Sequence, residues 1–234
     1  MSNLFSSELF IEFSTLLILA LTIPLASLMT YKYAKKKGKN QLYWSVGLWL
    51  FALGVILEVL FAFNIYNQIL IKTYLLSVAL LVGFLALGSI VLLKKTKLLL
   101  YYSLFMVFST VFILYSLVFS NIGNILTNHV VYGVLPLLIV ISSSVITFPA
   151  AVALILVALI SYRKTSSKEM LSIIAGVVIV SAAGSLYIAH FPTFLYYSEF
   201  VGILLLWLGL YKSGWYTHIF DLSTALSISV NYKA

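Results

Sequence analysis

In the stretch VGLWLFALGVILEVLFAF, residues 46 to 63, a single acidic residue, Glu58, stands among apolar and small neighbours. A carboxylate in hydrocarbon is costly, so such residues pair, carry a proton or mark an ion pathway. Two further glutamates occur near the start of other apolar runs: Glu12 in SELFIEF and Glu199 in FLYYSEFVG. Carboxyls brought together away from water exchange a proton or hold a cation, because like charges at close range do not both stay ionised. Lys72, the one cation near this level, is the expected counter-ion. Glu12, Glu58, Glu199 and Lys72 therefore form the candidate ion- or ligand-binding set. Its structural alternative is a Glu58 that bonds a tyrosine, a serine or the backbone and simply ties helices together.

A second polar patch is ISSSVITFP, with Ser142, Ser143, Ser144 and Thr147 ahead of Pro149. These hydroxyls are expected to satisfy carbonyls that the proline leaves open, with the lining of a cavity as the alternative. His129 and His190 are weak metal or haem candidates. They fall at the ends of apolar runs without HxxxH spacing, whereas haem in a bundle takes histidines that face each other from within helices. Interfacial histidines are the plainer reading.

Cysteine is absent, which removes disulfides and thiolate chemistry. There is no phosphate-binding glycine loop, no HExxH and no Ser/His/Asp set at a workable depth, and the only aspartate is Asp221 near the C-terminus. Catalysis is not expected.

The elements that must position these groups are membrane spans. Apolar residues form 63% of the 234-residue chain and charged residues only 9%, against about a quarter charged in soluble domains. Apolar runs near the length needed to cross a bilayer fall at about 8–31, 42–64, 70–93, 98–119, 133–161, 169–189 and 194–212. The expected fold is an all-α bundle of seven transmembrane helices, a single domain over 1–218, followed by a cytoplasmic or interfacial tail at 219–234. The first run lacks a basic start and is expected to be retained as a helix.

Lys32, Lys35, Lys36, Lys37 and Lys39 follow the first run, Lys94, Lys95 and Lys97 the third, Arg163, Lys164 and Lys168 the fifth, and Lys212 and Lys233 the seventh. Only Lys72 falls on the other side, which places the N-terminus outside and the C-terminus in the cytoplasm of a cell-membrane protein. The net charge of +8 thus reads as membrane orientation and not as nucleic-acid binding. Tyrosines near both boundaries, such as Tyr66, Tyr74, Tyr196 and Tyr197 at one and Tyr31, Tyr101 and Tyr102 at the other, read as aromatic belts.

Counted from Trp44 at about 1.5 Å per residue, Glu58 lies roughly 20 Å across a core of roughly 30 Å. Glu12 and Glu199, each near the outer start of its run, fall at a comparable level, and the three side chains would converge if the first, second and seventh helices are neighbours. The stripe Gly47, Phe51, Gly54, Glu58, Ala62 and the stripe Glu199, Gly202, Leu206, Gly209 carry the small residues that mark close helix approach, so both glutamates are expected to face protein. Pro24 and Pro149 should kink the first and fifth helices. A three-plus-one-plus-three repeat would pair those prolines, but the glycines of the second and sixth helices are spaced differently, and the repeat is not adopted.

The helix count and orientation resemble the microbial rhodopsin layout, without the mid-helix lysine that retinal needs: LYYSEFVGILLLWLGLY has none, and Lys212 follows it. On YWSVGLWLFALGVILEVLFAFNIYN, LLVGFLALGSIVLL, IIAGVVIVSAAGSLYIAHF and YYSEFVGILLLWLGLY the chain is similar to a group of uncharacterised prokaryotic seven-helix membrane proteins. That resemblance implies the fold and the placement of Glu58 and Glu199, and it carries no activity. The functional expectation is an anchor or accessory subunit of a larger respiratory or surface complex, with a membrane-protein partner or a second copy. The alternative is a small carrier or sensor that binds a proton, cation or amphiphile at the carboxyls. No cofactor is required by these residues; haem b and a carotenoid or other lipid stay open as ligands.

Overall fold

A computed structural model describes residues 8–123, 126–127, 130–131, 135–165, 172, 175–176, 179 and 197–209. It is all-α, with helices α1 (Glu8–Lys36), α2 (Lys39–Ala62), α3 (Gln68–Leu92), α4 (Thr96–Phe119) and α5 (Leu137–Thr165). All five are long and apolar enough to cross a membrane, and a shorter apolar helix, α6, covers Tyr197–Gly209. Between α4 and α5 a two-residue antiparallel pair joins Leu126–Thr127 to Val130–Val131. The first five expected spans thus coincide with α1 to α5, and α6 is part of the seventh. Of the sixth, Ser172, Ala175, Gly176 and Ile179 are described, and all are helical. His129, His190, Lys168 and the 219–234 tail lie outside the described residues.

Short links force successive helices to run antiparallel, and backbone chemistry closes those links. At the end of α2, Asn64 takes a left-handed conformation (φ 62°). Its N–H donates to the Phe61 carbonyl and that of Ile65 to Leu60, at 3.0 and 2.9 Å, a double closure that satisfies carbonyls the helix would leave open. Three residues after Asn64, Asn67 caps α3 by accepting from the Leu70 N–H at 2.8 Å. Lys37 and Lys94 turn the chain at the ends of α1 and α3 with the same left-handed backbone, φ 50° and 55°.

The centre of the bundle is α2 against α3. Gly47 and Gly54 of α2 face Leu81, Leu85, Ser77 and Val78 of α3, and a Cβ at Gly47 would sit 3.0 Å from Leu85 and 3.1 Å from the Leu81 carbonyl. Small residues here do what they do in other membrane bundles, letting backbones approach where no hydrophobic drive separates helix from lipid. Trp44 Nε1 donates to the Leu85 carbonyl at 3.1 Å and to Ser89 Oγ at 3.2 Å. The α1–α2 seam carries its own polar tie, Thr30 Oγ1 to Ser45 Oγ at 2.7 Å, with Trp49 Nε1 donating to the same Thr30 oxygen at 2.9 Å.

α5 runs parallel to α3, since Gly83 lies by Ile146 and Ala86 packs with Ala150 and Leu154. α4 closes the far side through Met106, Ile113 and Leu117. Beyond its first turn its outer face, including Leu104, Val107, Phe108, Val111 and Val118, is exposed and aliphatic or aromatic, as suits a lipid-facing surface.

These links yield a stability prediction. Asn67→Ala should destabilise the chain by about 1 kcal/mol through loss of the α3 cap, whereas Lys94→Gly, which removes a Cβ from a left-handed position, should be neutral or stabilising. Unfolding titrations in mixed detergent micelles measure both.

Candidate functional site

Glu58 is set on α2 one turn before that helix ends, and is only 3% exposed. α3 returns antiparallel beside it and presents Tyr74, whose hydroxyl donates to Glu58 Oε1 at 2.7 Å in a buried bond. The Tyr74 ring is held edge-on to Phe61, with centroids 5.7 Å apart and planes at 76°. Its backbone carbonyl accepts from Ser77 Oγ at 2.8 Å. The donor is thus located by packing on one side and by its own helix on the other.

The third member comes from α6. Glu199 is 8% exposed, follows the buried Ser198, and its carboxyl meets that of Glu58 within hydrogen-bonding reach. Oε2 of Glu58 and Oε2 of Glu199 receive no donor from any described residue. Two acids from distant parts of the chain therefore share one buried spot, with Tyr74 supplying a hydroxyl from one side.

α6 is held there by more than the carboxyl contact. Trp207 Nε1 donates to the Leu21 carbonyl of α1 at 2.9 Å. Ile203, fully enclosed, packs in one cluster with Ile18, Leu25, Phe51 and Val55 of α1 and α2. On its other side Ser172 Oγ donates to the Leu205 carbonyl at 2.8 Å, and Gly176 lies so close that a Cβ there would stand 3.2 Å from the Gly202 carbonyl. The stripe on α2 accordingly divides its work: Gly47 and Gly54 admit α3, while Glu58 meets α3 and α6 together. Within the α6 stripe, the backbone of Gly202 is the part that Gly176 approaches.

Other residues of the expected set stay apart. Glu12 is half-buried on α1, where its carbonyl accepts from Thr15 Oγ1 at 3.0 Å, and it is not among the groups acting on either buried carboxyl. Lys72 is half-buried in the first turns of α3 and is likewise not among them. The hydroxyl of Tyr74 stands where the lysine charge was expected.

The serine patch also departs from expectation. Ser142 and Ser143 donate to the carbonyls of Ile139 and Val140 at 3.1 and 3.2 Å. Pro149 frees the carbonyl four residues back, that of Val145, so these bonds lie more than a turn upstream of it. Ser144 is exposed and Thr147 half-buried. The described residues contain no group of three or more His, Cys, Asp or Glu able to hold a metal.

Tyr74 was hidden by composition, since a tyrosine near a membrane boundary reads as one more belt residue. The available signal was its helical phase: Tyr74, Ser77, Leu81 and Gly88 share the buried face of α3. No protein-family model, curated protein or solved structure matches the chain.

Removing the Tyr74 hydroxyl leaves Glu58 Oε1 buried without its donor, so Tyr74→Phe should cost about 1–3 kcal/mol. Glu58→Gln keeps an acceptor for Tyr74 and gains a donor toward Glu199, and should stay within about 1 kcal/mol of the parent. Denaturant or detergent unfolding of the two variants checks the pair.

Proposed function

We propose that the chain is a seven-span protein of the cell membrane, N-terminus outside and C-terminus cytoplasmic, whose working site is the Glu58–Glu199 pair. The site takes up and releases a proton or a small monovalent cation. One observation carries this reading: two carboxyls from α2 and α6 meet inside the bundle, with an oxygen of each lacking any donor among the described residues. In a medium of low dielectric, two adjacent negative charges repel strongly. A proton between the oxygens or a cation bridging them relieves that repulsion, and intramembrane acids that are neither paired with lysine nor solvated belong to ion and proton pathways more often than to plain scaffolding.

Tyr74 has a positioning part in this scheme. Its bond fixes Oε1 of Glu58, while Oε2 has no donor among the described residues and is the atom open to a proton or a bound ion. The seven-span count is supported by the five long helices, by the helical residues between 172 and 179 and by α6. The orientation is supported by the lysines, and the prokaryotic family assignment by the sequence resemblance.

The other reading is an anchor or accessory subunit of a respiratory or surface complex, with a membrane-protein partner or a second copy. It draws on the brevity of the links from α1 to α4, which leave little of this part of the chain outside the spans. An amphiphile in place of the cation would suit the same carboxyls.

The purified chain in vesicles loaded with a pH-sensitive dye, under imposed proton, Na⁺ or K⁺ gradients, tests the proposal. The parent should dissipate at least one gradient, and Glu58→Gln and Glu199→Gln should abolish the effect while folding normally. A parent that moves and binds no ion, yet leaves native membranes with a stoichiometric partner, would transfer the assignment to the subunit reading.

A further inference from the structure

At the end of the bundle away from the carboxyls, the α1–α2 turn, the α3–α4 turn and the end of α5 come together. The antiparallel α2–α3 pair brings the first two side by side: the missing side chain of Gly88 faces Trp44 and the backbone of Asn40. The parallel course of α3 and α5 brings the third. Lys37, Lys39, Lys94, Lys95, Lys97 and Arg163 are all exposed there. The acids among the described residues, Glu8, Glu12, Glu58 and Glu199, all belong to the opposite half, so no described acid neutralises this collar.

Helix electrostatics does not account for these cations. Lys35 and Lys36 close α1, where positive charge favours the helix dipole. Lys39, by contrast, is the first residue of α2, and Lys95 and Lys97 flank the start of α4, whose cap makes no side-chain bond. Cations at helix starts oppose the dipole, so they are placed there at some cost to the fold. Lys37 is steadied by the Tyr33 ring, 5.5 Å from its ammonium to the centroid. Tyr31, Leu100 and Tyr101 are exposed on α1 and α4 near the same level. An ammonium layer above exposed aromatic and aliphatic side chains matches phosphate above acyl chain.

We propose that this collar binds the phosphate headgroups of anionic phospholipids, with their chains lying along α1 and α4. The inference stands independently of which ion the carboxyl pair takes.

The full-length protein in a zwitterionic detergent is titrated with phosphatidylglycerol, phosphatidylcholine or inorganic phosphate, reading the melting temperature and, by native mass spectrometry, the lipid retained. Phosphatidylglycerol should raise the melting temperature and remain bound, and the effect should weaken with salt. Phosphatidylcholine and inorganic phosphate should do neither. Each lysine replaced by glutamine should weaken phosphatidylglycerol binding about fivefold. The Lys39→Gln/Lys95→Gln/Lys97→Gln variant should lose the response without melting lower in phosphatidylcholine, and Lys72→Gln at the opposite end should behave as the parent. Equal responses to the two lipids, the same shift from inorganic phosphate, or a triple variant that keeps the response would each overturn the proposal. Should the triple variant not fold, the comparison of lipids on the parent chain decides alone.

Discussion

Inside a bilayer there is no water to accept or donate a hydrogen bond, so every polar group carried into the spans must find its partner within the chain. Helices settle that demand for the backbone, which is why five long helices dominate the described structure. Side chains have to settle it pairwise. Trp44 does so on the Leu85 carbonyl, Trp207 on that of Leu21, Thr30 on Ser45 and Tyr74 on Glu58. Each of these bonds joins two helices, so the polar residues that hydrocarbon penalises are the ones that specify which helix lies beside which.

The carboxyl pair is one place where this demand is only partly met; the buried Ser109 Oγ and the Tyr102 hydroxyl likewise have no partner among the described residues. Tyr74 answers one oxygen of Glu58, and the remaining contact is between two acids. A bundle built only for stability could place apolar residues there, because replacing a buried polar pair by well-packed apolar groups is often neutral or favourable. Retaining two acids at the meeting of α2, α3 and α6 therefore favours a site with an occupant over a structural tie. Charge is also polarised along the bundle: the described acids lie toward one end and all the described cations but Lys72 toward the other.

Much of this was legible in the residues. The apolar runs located α1 to α5 within a few residues, because a span is set by length and hydropathy alone. The glycine stripe on α2 announced a buried face, and Glu58 lies on it. What misled was treating charge as the only answer to charge. Lys72 was the natural counter-ion on composition, but α3 turns about 100° per residue, and at the level of Glu58 it is Tyr74 that points inward. Glu12 shows the same limit: depth along a helix follows from counting residues, whereas the facing of α1 depends on how it packs.

The sequence by itself determined that the chain contains apolar helices, where α1 to α5 begin and end to within a few residues, which of their faces are rich in small residues, and that its cations gather at the helix ends and turns. These are local properties, written in composition and period. Only the tertiary structure decided that Glu199 reaches Glu58, that Tyr74 and not Lys72 completes the contact, and that Gly47 and Gly54 admit α3. Glu58 and Glu199 are separated by most of the chain, and no periodicity carries information across such a distance; the packing of α6 into the groove of α1 and α2 does.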